Sequence, residues 1–394
     1  MFKYRLYPNK TQEATLEHQL DLCRWTYNRL LLHCRSTNKK TGKLPTLFDL
    51  NKLLIKLKTE NLELKQVHSQ ILQNISKRIR DAYHGFFQRR KYGLKAGLPR
   101  FKKPQRYRSF TYPQSGYTID RNRLHMSKIG DIKIRLHRPI QGLAKTLTVK
   151  KTPSGKWFAC FSCILDSNLG ERPLKEVGID LGLKFFAVLS DGTRIKNPRF
   201  YQTSERRLAR LQRSYSRKER DSRNRERANL KVARLHEKIE NRRSDFLHKV
   251  SRAVANAYSI VYVEDLKIRN MVRNHLLAKS ISDAGWGRFV RMLCYKEEES
   301  GGRVIFVNPH NTSQICSRCS NIVTKALSDR KHECPFCGLV MDRDLNASRN
   351  ILKIGRGPPE SKPVERLAST LSIKVEQVNS MNQEDSLLIE RQST

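Results

Sequence analysis

The stretch EVGIDLGLKFFAVLSDGTRI, residues 176–195, holds two apolar runs of strand length joined by a Gly-containing turn, and the second run closes on Asp191-Gly192. Alternation of this kind bounded by turn residues predicts a β-hairpin. Downstream, SIVYVEDL (259–266) reads as a buried strand, FVRMLCYKEEES (289–300) as a helix and GRVIFVNP (302–309) as another strand. Strands alternating with helices predict an α/β core beginning near residue 173. Between the hairpin and SIVYVEDL, apolar residues recur at helical spacing through Leu208, Leu211, Val232, Leu235, Ile239, Phe246 and Val250. Two long helices with a break near DSRN (221–224) are expected.

Working toward the N-terminus, the pattern changes. FKYRLYP alternates like a strand, and three segments of helical spacing follow, with Leu16, Leu20, Tyr27 and Leu31 facing inward in the first. A basic, proline-punctuated connection, GLPRFKKPQRYR (97–108), then leads to several short strands ending in KWFACFSCIL. These features predict a small antiparallel barrel (1–10 and 106–172), whose first strand is the N-terminal one, split by a helical lobe (11–105). Beyond Ile354 the pattern is lost, and the tail (357–394) is expected to be loosely ordered.

Composition narrows the partners. Seventy-eight Lys and Arg against 37 Asp and Glu give a formal net charge of +41 over 394 residues, a field that repels itself unless a polyanion is bound. Nucleic acid is the expected partner. No run of about 18 apolar residues marks a membrane span, and the N-terminus lacks the apolar region of a signal peptide; a cytoplasmic setting is expected. Residues 206–252 carry 17 Lys or Arg. Within this hairpin Arg217, Lys218 and Arg220 are candidates for backbone contact with nucleic acid. In the N-terminal part Arg100, Lys102, Lys103, Arg106 and Arg108 interleave with Phe101, Tyr107 and Phe110, a mixture suited to phosphate contact and base stacking, with a core role as the rival for Phe110.

Two groups of residues carry chemistry. Cys316, Cys319, Cys334 and Cys337 stand as Cys-x2-Cys-x14-Cys-x2-Cys, the spacing of a structural four-thiolate zinc site with no coordination position left open. His332 is expected to stand by without ligating. Cys160 and Cys163, on an apolar strand, and Cys23, Cys34 and Cys294 read as core filling. The second group is acidic. Asp180 and Glu264 end apolar strand runs, where a lone acid is usually a cap or solvated. With Asp344 they form three carboxylates on separated elements, able to converge on two magnesium ions ~4 Å apart and to hydrolyse a phosphodiester.

The motifs GIDLGLKFFAVLSDG, LHEKIENRRSDFLHK, VEDLKIRNMVRN, SISDAGWGRF, NTSQICSRCS and DRDLNASRNIL together resemble the TnpB family of transposon-encoded proteins over nearly the whole chain. The resemblance implies an α+β multidomain fold. Its parts are an oligonucleotide-binding-type barrel split by a helical recognition lobe, then an RNase H-like (RuvC) nuclease domain (173–310 and 339–356) with an inserted zinc ribbon (311–338). It implies RNA-guided cleavage of DNA beside a short adjacent motif, with Asp180, Glu264 and Asp344 as the catalytic acids binding Mg2+ or Mn2+. It also implies structural Zn2+, a guide RNA from the transposon end, target DNA, no membrane, and a nucleoid-associated monomer on one guide in a bacterium or archaeon. A guide-dependent regulator that does not cut, and a transposase performing strand transfer, are the alternatives. Asp342 and Asp344 are separated by motif matching and by helical character expected from Asn346 onward, both of which favour Asp344.

Overall fold

The computed structural model describes residues 1–164, 174–326 and 329–357; the boundary expected near residue 172 and the tail from residue 358 lie outside them. The described residues fall into two compact units, within Met1–Asn168 plus Arg207–Lys238 and within Leu169–Arg206 plus Ile239–Thr394. The fold is mixed α/β. No described helix is long and apolar enough to cross a membrane.

The first unit opens with strand β1 (Phe2–Tyr7), followed by helices α1 (Lys10–Thr41), α2 (Leu47–Glu60) and α3 (Ser69–Lys91). Capping boxes start two of them, Asn9 with Gln12 and Thr46 with Asp49, each satisfying backbone donors that the first helical turn leaves open. Six strands follow: β2 (Ser109–Tyr112), β3 (Tyr117–Asp120), β4 (Arg123–Met126), β5 (Gly130–Arg135), β6 (Leu143–Lys151) and β7 (Trp157–Ile164). The antiparallel order β2-β6-β7-β1-β5-β4-β3 places the N-terminal strand at the centre. The two outermost strands meet through the rings of Tyr112 and Tyr117, 6.3 Å apart, so the sheet curls into a nearly closed barrel. Its core is continuous with the helices, because Leu16, Leu20, Tyr27 and Leu31 of α1 and Ile71, Ile75 and Ile79 of α3 share one cluster with Tyr4, Leu6 and Phe161.

In the second unit, β8 (Glu176–Leu181), β9 (Phe185–Leu189) and β10 (Arg194–Lys196) form an antiparallel meander. After α4 (Glu205–Ser216) and α5 (Arg223–Ala257), whose residues 207–238 belong to the first unit, strand β11 (Ile260–Glu264) pairs parallel with β8. Helices α6 (Ile268–Met271), α7 (Ala278–Ala284) and α8 (Trp286–Glu299) lead to β12 (Arg303–Val307), parallel to β11. A short hairpin, β13 (Lys331–Glu333) and β14 (Val340–Asp342), precedes α9 (Arg343–Arg356). The five-stranded order is β10-β9-β8-β11-β12. The helical break falls slightly before the expected DSRN: α4 stops at Ser216, and the Ser222 hydroxyl accepts the Arg225 amide at 3.2 Å, capping α5 at Arg223.

Alternation along the strands sorts the two faces. Val177, Ile179, Leu181, Val261 and Val263 face a core completed by Leu247 and Val254 of α5 and Phe289 and Leu293 of α8. Ile260, Tyr262 and Val307 face the other way, onto Ile351 of α9. Gly178 lies on this second side. A Cβ there would stand 2.2 Å from the Ser348 carbonyl oxygen and 2.6 Å from the Leu352 amide nitrogen, and both are backbone atoms of a helix that cannot yield alone. Gly178→Ala is therefore expected to displace α9 and destabilise the protein by about 1–3 kcal/mol, read as a lower midpoint in urea unfolding with the same slope.

Candidate active site

Strands β8 and β11 pair Val177 with Val261, Gly178 with Tyr262 and Ile179 with Val263. One further step of the same register sets Asp180 beside Glu264 at the carboxyl ends of both strands, on lines roughly 4.8 Å apart. Each lies two residues beyond a member of the α9 face, so both carboxylates leave the sheet toward that helix. Helix α9 delivers the third acid. Asp342 is its N-cap, the Oδ1 atom accepting the amides of Asp344 at 3.0 Å and Leu345 at 3.2 Å. The helix consequently starts at Arg343 and not at Asn346, because the cap residue itself begins the turn. Asp344 sits in the first turn, with Oδ1 3.4 Å from the Nε of Arg343.

These acids feel one another. Burial pushes the Asp180 carboxyl well above the usual carboxylate range, the charges of Glu264 and Asp344 push it further, Arg343 opposes them, and Asp342 adds to the rise. Burial also raises Glu264, against a hydrogen bond donated by the Thr312 hydroxyl to Oε1 at 2.5 Å. A cluster of half-buried carboxylates with too few cations is a donor set for hard divalent ions, which bind oxygen and would relieve the repulsion.

The cysteine group is tighter. All four sulfurs lie within 4.8 Å of one another, with 3.6 Å between those of Cys316 and Cys337 and 3.5 Å between those of Cys319 and Cys334. Sulfurs about 2.3 Å from a tetrahedral centre would be spaced about 3.8 Å apart, so the group is compatible with zinc. Burial opposes ionisation of Cys316 and Cys334, but the amides of Cys319 and Arg318 for the first, and of Cys337 and Phe336 for the second, outweigh it and draw each thiol to about 7. Burial and the neighbouring sulfurs push Cys337 up to about 12, a cost that a cation would remove.

Sequence reasoning missed the residues that join the two groups. Asn346 and Asn350 of α9, both buried, donate to the Ile315 carbonyl at 2.7 and 2.6 Å, and Asn346 accepts the Ser317 amide at 2.9 Å. Asn350 also donates to the Thr312 carbonyl at 2.8 Å. Their spacing of four residues is the only trace this leaves in the sequence. His332, expected to stand by, is fully buried on β13, where its Nδ1 meets the Lys325 amine and its nearness favours the Cys316 thiolate.

Among the candidate nucleic-acid residues, Arg217, Lys218 and Arg220 are exposed between α4 and α5. Arg100, Lys103 and Arg106 are exposed, whereas Lys102 and Arg108 are half-buried. Phe101 is 45% exposed beneath the Arg35 guanidinium, while Tyr107 and Phe110 are core residues. Of the three aromatics considered for base stacking, only Phe101 has a ring at the surface.

Acids at the carboxyl ends of a mixed sheet thus stand beside a four-cysteine module. Family models match three parts of the chain: a helix-turn-helix domain over residues 1–43, the probable transposase OrfB_IS605 over 166–275 and the Cas12f1-like TNB domain over 286–351. A protein of Escherichia coli (strain K12) named as the RNA-guided DNA endonuclease InsQ is 33% identical over 402 residues, covering 94% of this chain and 98% of its own. A protein of Streptomyces pristinaespiralis, also named as an RNA-guided DNA endonuclease, is 35% identical over 362 residues, covering 90% and 89%. The chain belongs to the OrfB_IS605 family, also called TnpB. Its fold is shared with Cas12f1, solved as a complex with guide RNA and target DNA, at 16% identity and a TM-score of 0.58 over 90% of this chain and 84% of that one.

Two outcomes are expected. For Asp180 the unfolded carboxyl titrates near 3.9 and the folded one higher, so metal-free wild type loses stability as pH rises above about 4, until the folded group ionises. In chelator, Asp180→Asn and wild type should melt alike near pH 3.5, the variant becoming the more stable toward pH 7; added Mg2+ should raise the wild-type melting temperature and leave the variant's nearly unchanged. For the cysteines, one zinc per chain is expected by metal analysis, and Cys316→Ser should lower both zinc content and melting temperature.

Proposed function

We propose that this chain is an RNA-guided DNA endonuclease, in which the domain of the mixed sheet is an RNase H-like (RuvC) nuclease, the four-cysteine module a zinc ribbon inserted before its last helix (311–338), and the barrel with its helical lobe a guide-binding part. The single observation that carries the reading is the placement of Asp180, Glu264 and Asp344 on one face at one end of the sheet, inside a family whose relatives are named for this activity. Asp180, Glu264 and Asp344 would hold Mg2+ or Mn2+. The chemistry supplied there by a bound divalent ion would be activation of water and stabilisation of the departing oxygen.

The protein's own groups prepare this site. Thr312 fixes the orientation of Glu264, the Asp342 cap fixes the first turn from which Asp344 projects, and Arg343 limits the charge that accumulates before a cation binds. Exposed Arg217, Lys218 and Arg220 and the basic connection around Arg100, Lys103 and Arg106 supply contacts to the phosphate backbone, which read no sequence and leave recognition to base pairing with the guide.

Asp342 and Asp344 test the assignment. Asp344→Asn should lower cleavage of a guided target by roughly 100-fold or more, the order lost when a stabilising group at the reacting centre is removed. Asp342→Asn should retain much of the activity, because asparagine caps a helix as well as aspartate does. Cleavage assays on both variants, each carrying wild-type amounts of copurified RNA, check this; the reverse pattern would move the third ligand to residue 342.

A further inference from the structure

Strand β10 is the open edge of the second unit's sheet. Its Arg194 pairs with Val188, which in turn pairs with Asp180. Laterally paired residues project to the same side, so Arg194, Val188, Asp180 and Glu264 form one transverse row on the face shared with α9, Arg194 standing two strand spacings, about 10 Å, from Asp180. Its guanidinium lies 3.5 Å from Asp342 Oδ2 and 5.5 Å from the centre of the Phe185 ring, while Lys184 stands 5.6 Å from the same ring. Asp342 spends its other oxygen on the helix cap.

The Arg194–Asp342 pair is 44% and 23% exposed, a setting in which an ion pair adds little to stability. Among the described residues Arg194 makes no hydrogen bond, so a fork of five N–H donors is held in place with most of its capacity unspent. A polynucleotide entering this site meets Asp180, Glu264, Asp342 and Asp344, all of its own sign. Cations held by the acids would offset the charge of the phosphate being cut, and the phosphate flanking it would call for a cation of the protein's own. We infer that Arg194 is a substrate-positioning residue that binds the phosphate flanking the scissile one, with Lys184 adding charge and Phe185 keeping the guanidinium on the row. The inference rests on the carboxylate site being the nuclease centre.

A charge-deletion cycle tests it. The full chain with its copurified RNA is given a matching target in which single phosphates near the cut are replaced by neutral methylphosphonates. In wild type, one flanking methylphosphonate should slow cleavage about 10-fold, and in Arg194→Ala the same replacement should change the already slower rate less than twofold, the signature of two partners in one contact. Arg194→Lys should recover part of the rate but tolerate the phosphate in more than one position. An equal slowing by that methylphosphonate in wild type and Arg194→Ala, or an Arg194→Ala rate equal to wild type, overturns the inference. Undiminished cleavage by Asp180→Asn and Asp344→Asn instead overturns the nuclease centre itself, so the two failures are told apart.

Discussion

Helix α9 can reach strand β8 because residue 178 has no side chain, and the geometry of the carboxylate cluster follows from that approach. The Ser348 carbonyl and the Leu352 amide occupy the space where a methyl group would stand. At this distance, the first turn of the helix is carried to the end of the strand, and Asp344 arrives beside two acids already brought together by sheet register. Gly355, whose Cβ would lie 2.0 Å from the Tyr262 ring, extends the same close contact to β11. Apolar packing around Ile351 then supplies the free energy that holds like charges together.

The strands were legible because alternation and turn chemistry are local. EVGIDL, FFAVL and IVYVE each show where they begin and end, and the acids at two of those ends could be named from the sequence. The thiol spacing was legible for the same reason: each pair closes over its own tight turn. What stayed hidden depends on partners far along the chain. Nothing around Thr312 reveals that its hydroxyl will meet Glu264, 48 residues away, and Asn346 and Asn350 look like ordinary helix residues until the Ile315 carbonyl is placed between them. Tyr107 and Phe110 show the reverse error, since a basic neighbourhood made core aromatics resemble a stacking surface.

Charge is organised differently in the two kinds of site. At the carboxylates, burial and repulsion leave the cluster short of positive charge, with Arg343 and Arg194 as near neighbours. At the thiols, backbone amides do part of the stabilising in advance and draw Cys316 and Cys334 toward ionisation, with Lys325 as the nearby side-chain cation. One site is held under electrostatic tension that a bound cation would relieve; the other is pre-arranged by main-chain geometry.

The clamp made by Asn346 and Asn350 has a consequence for how such a chain can change over time. Both ends of the four-cysteine module are tied to α9: the outgoing end through Thr312, Ile315 and Ser317, the returning end through the Asp342 cap. Between those ties the module is a cassette with fixed sockets. Its interior can lengthen, shorten or be exchanged at the modest entropic cost of a longer loop, while the spacing of the carboxylate face is kept by the sockets alone. Variation in size should therefore gather inside the cassette, and the two asparagines should resist substitution even where the cysteines themselves have been lost.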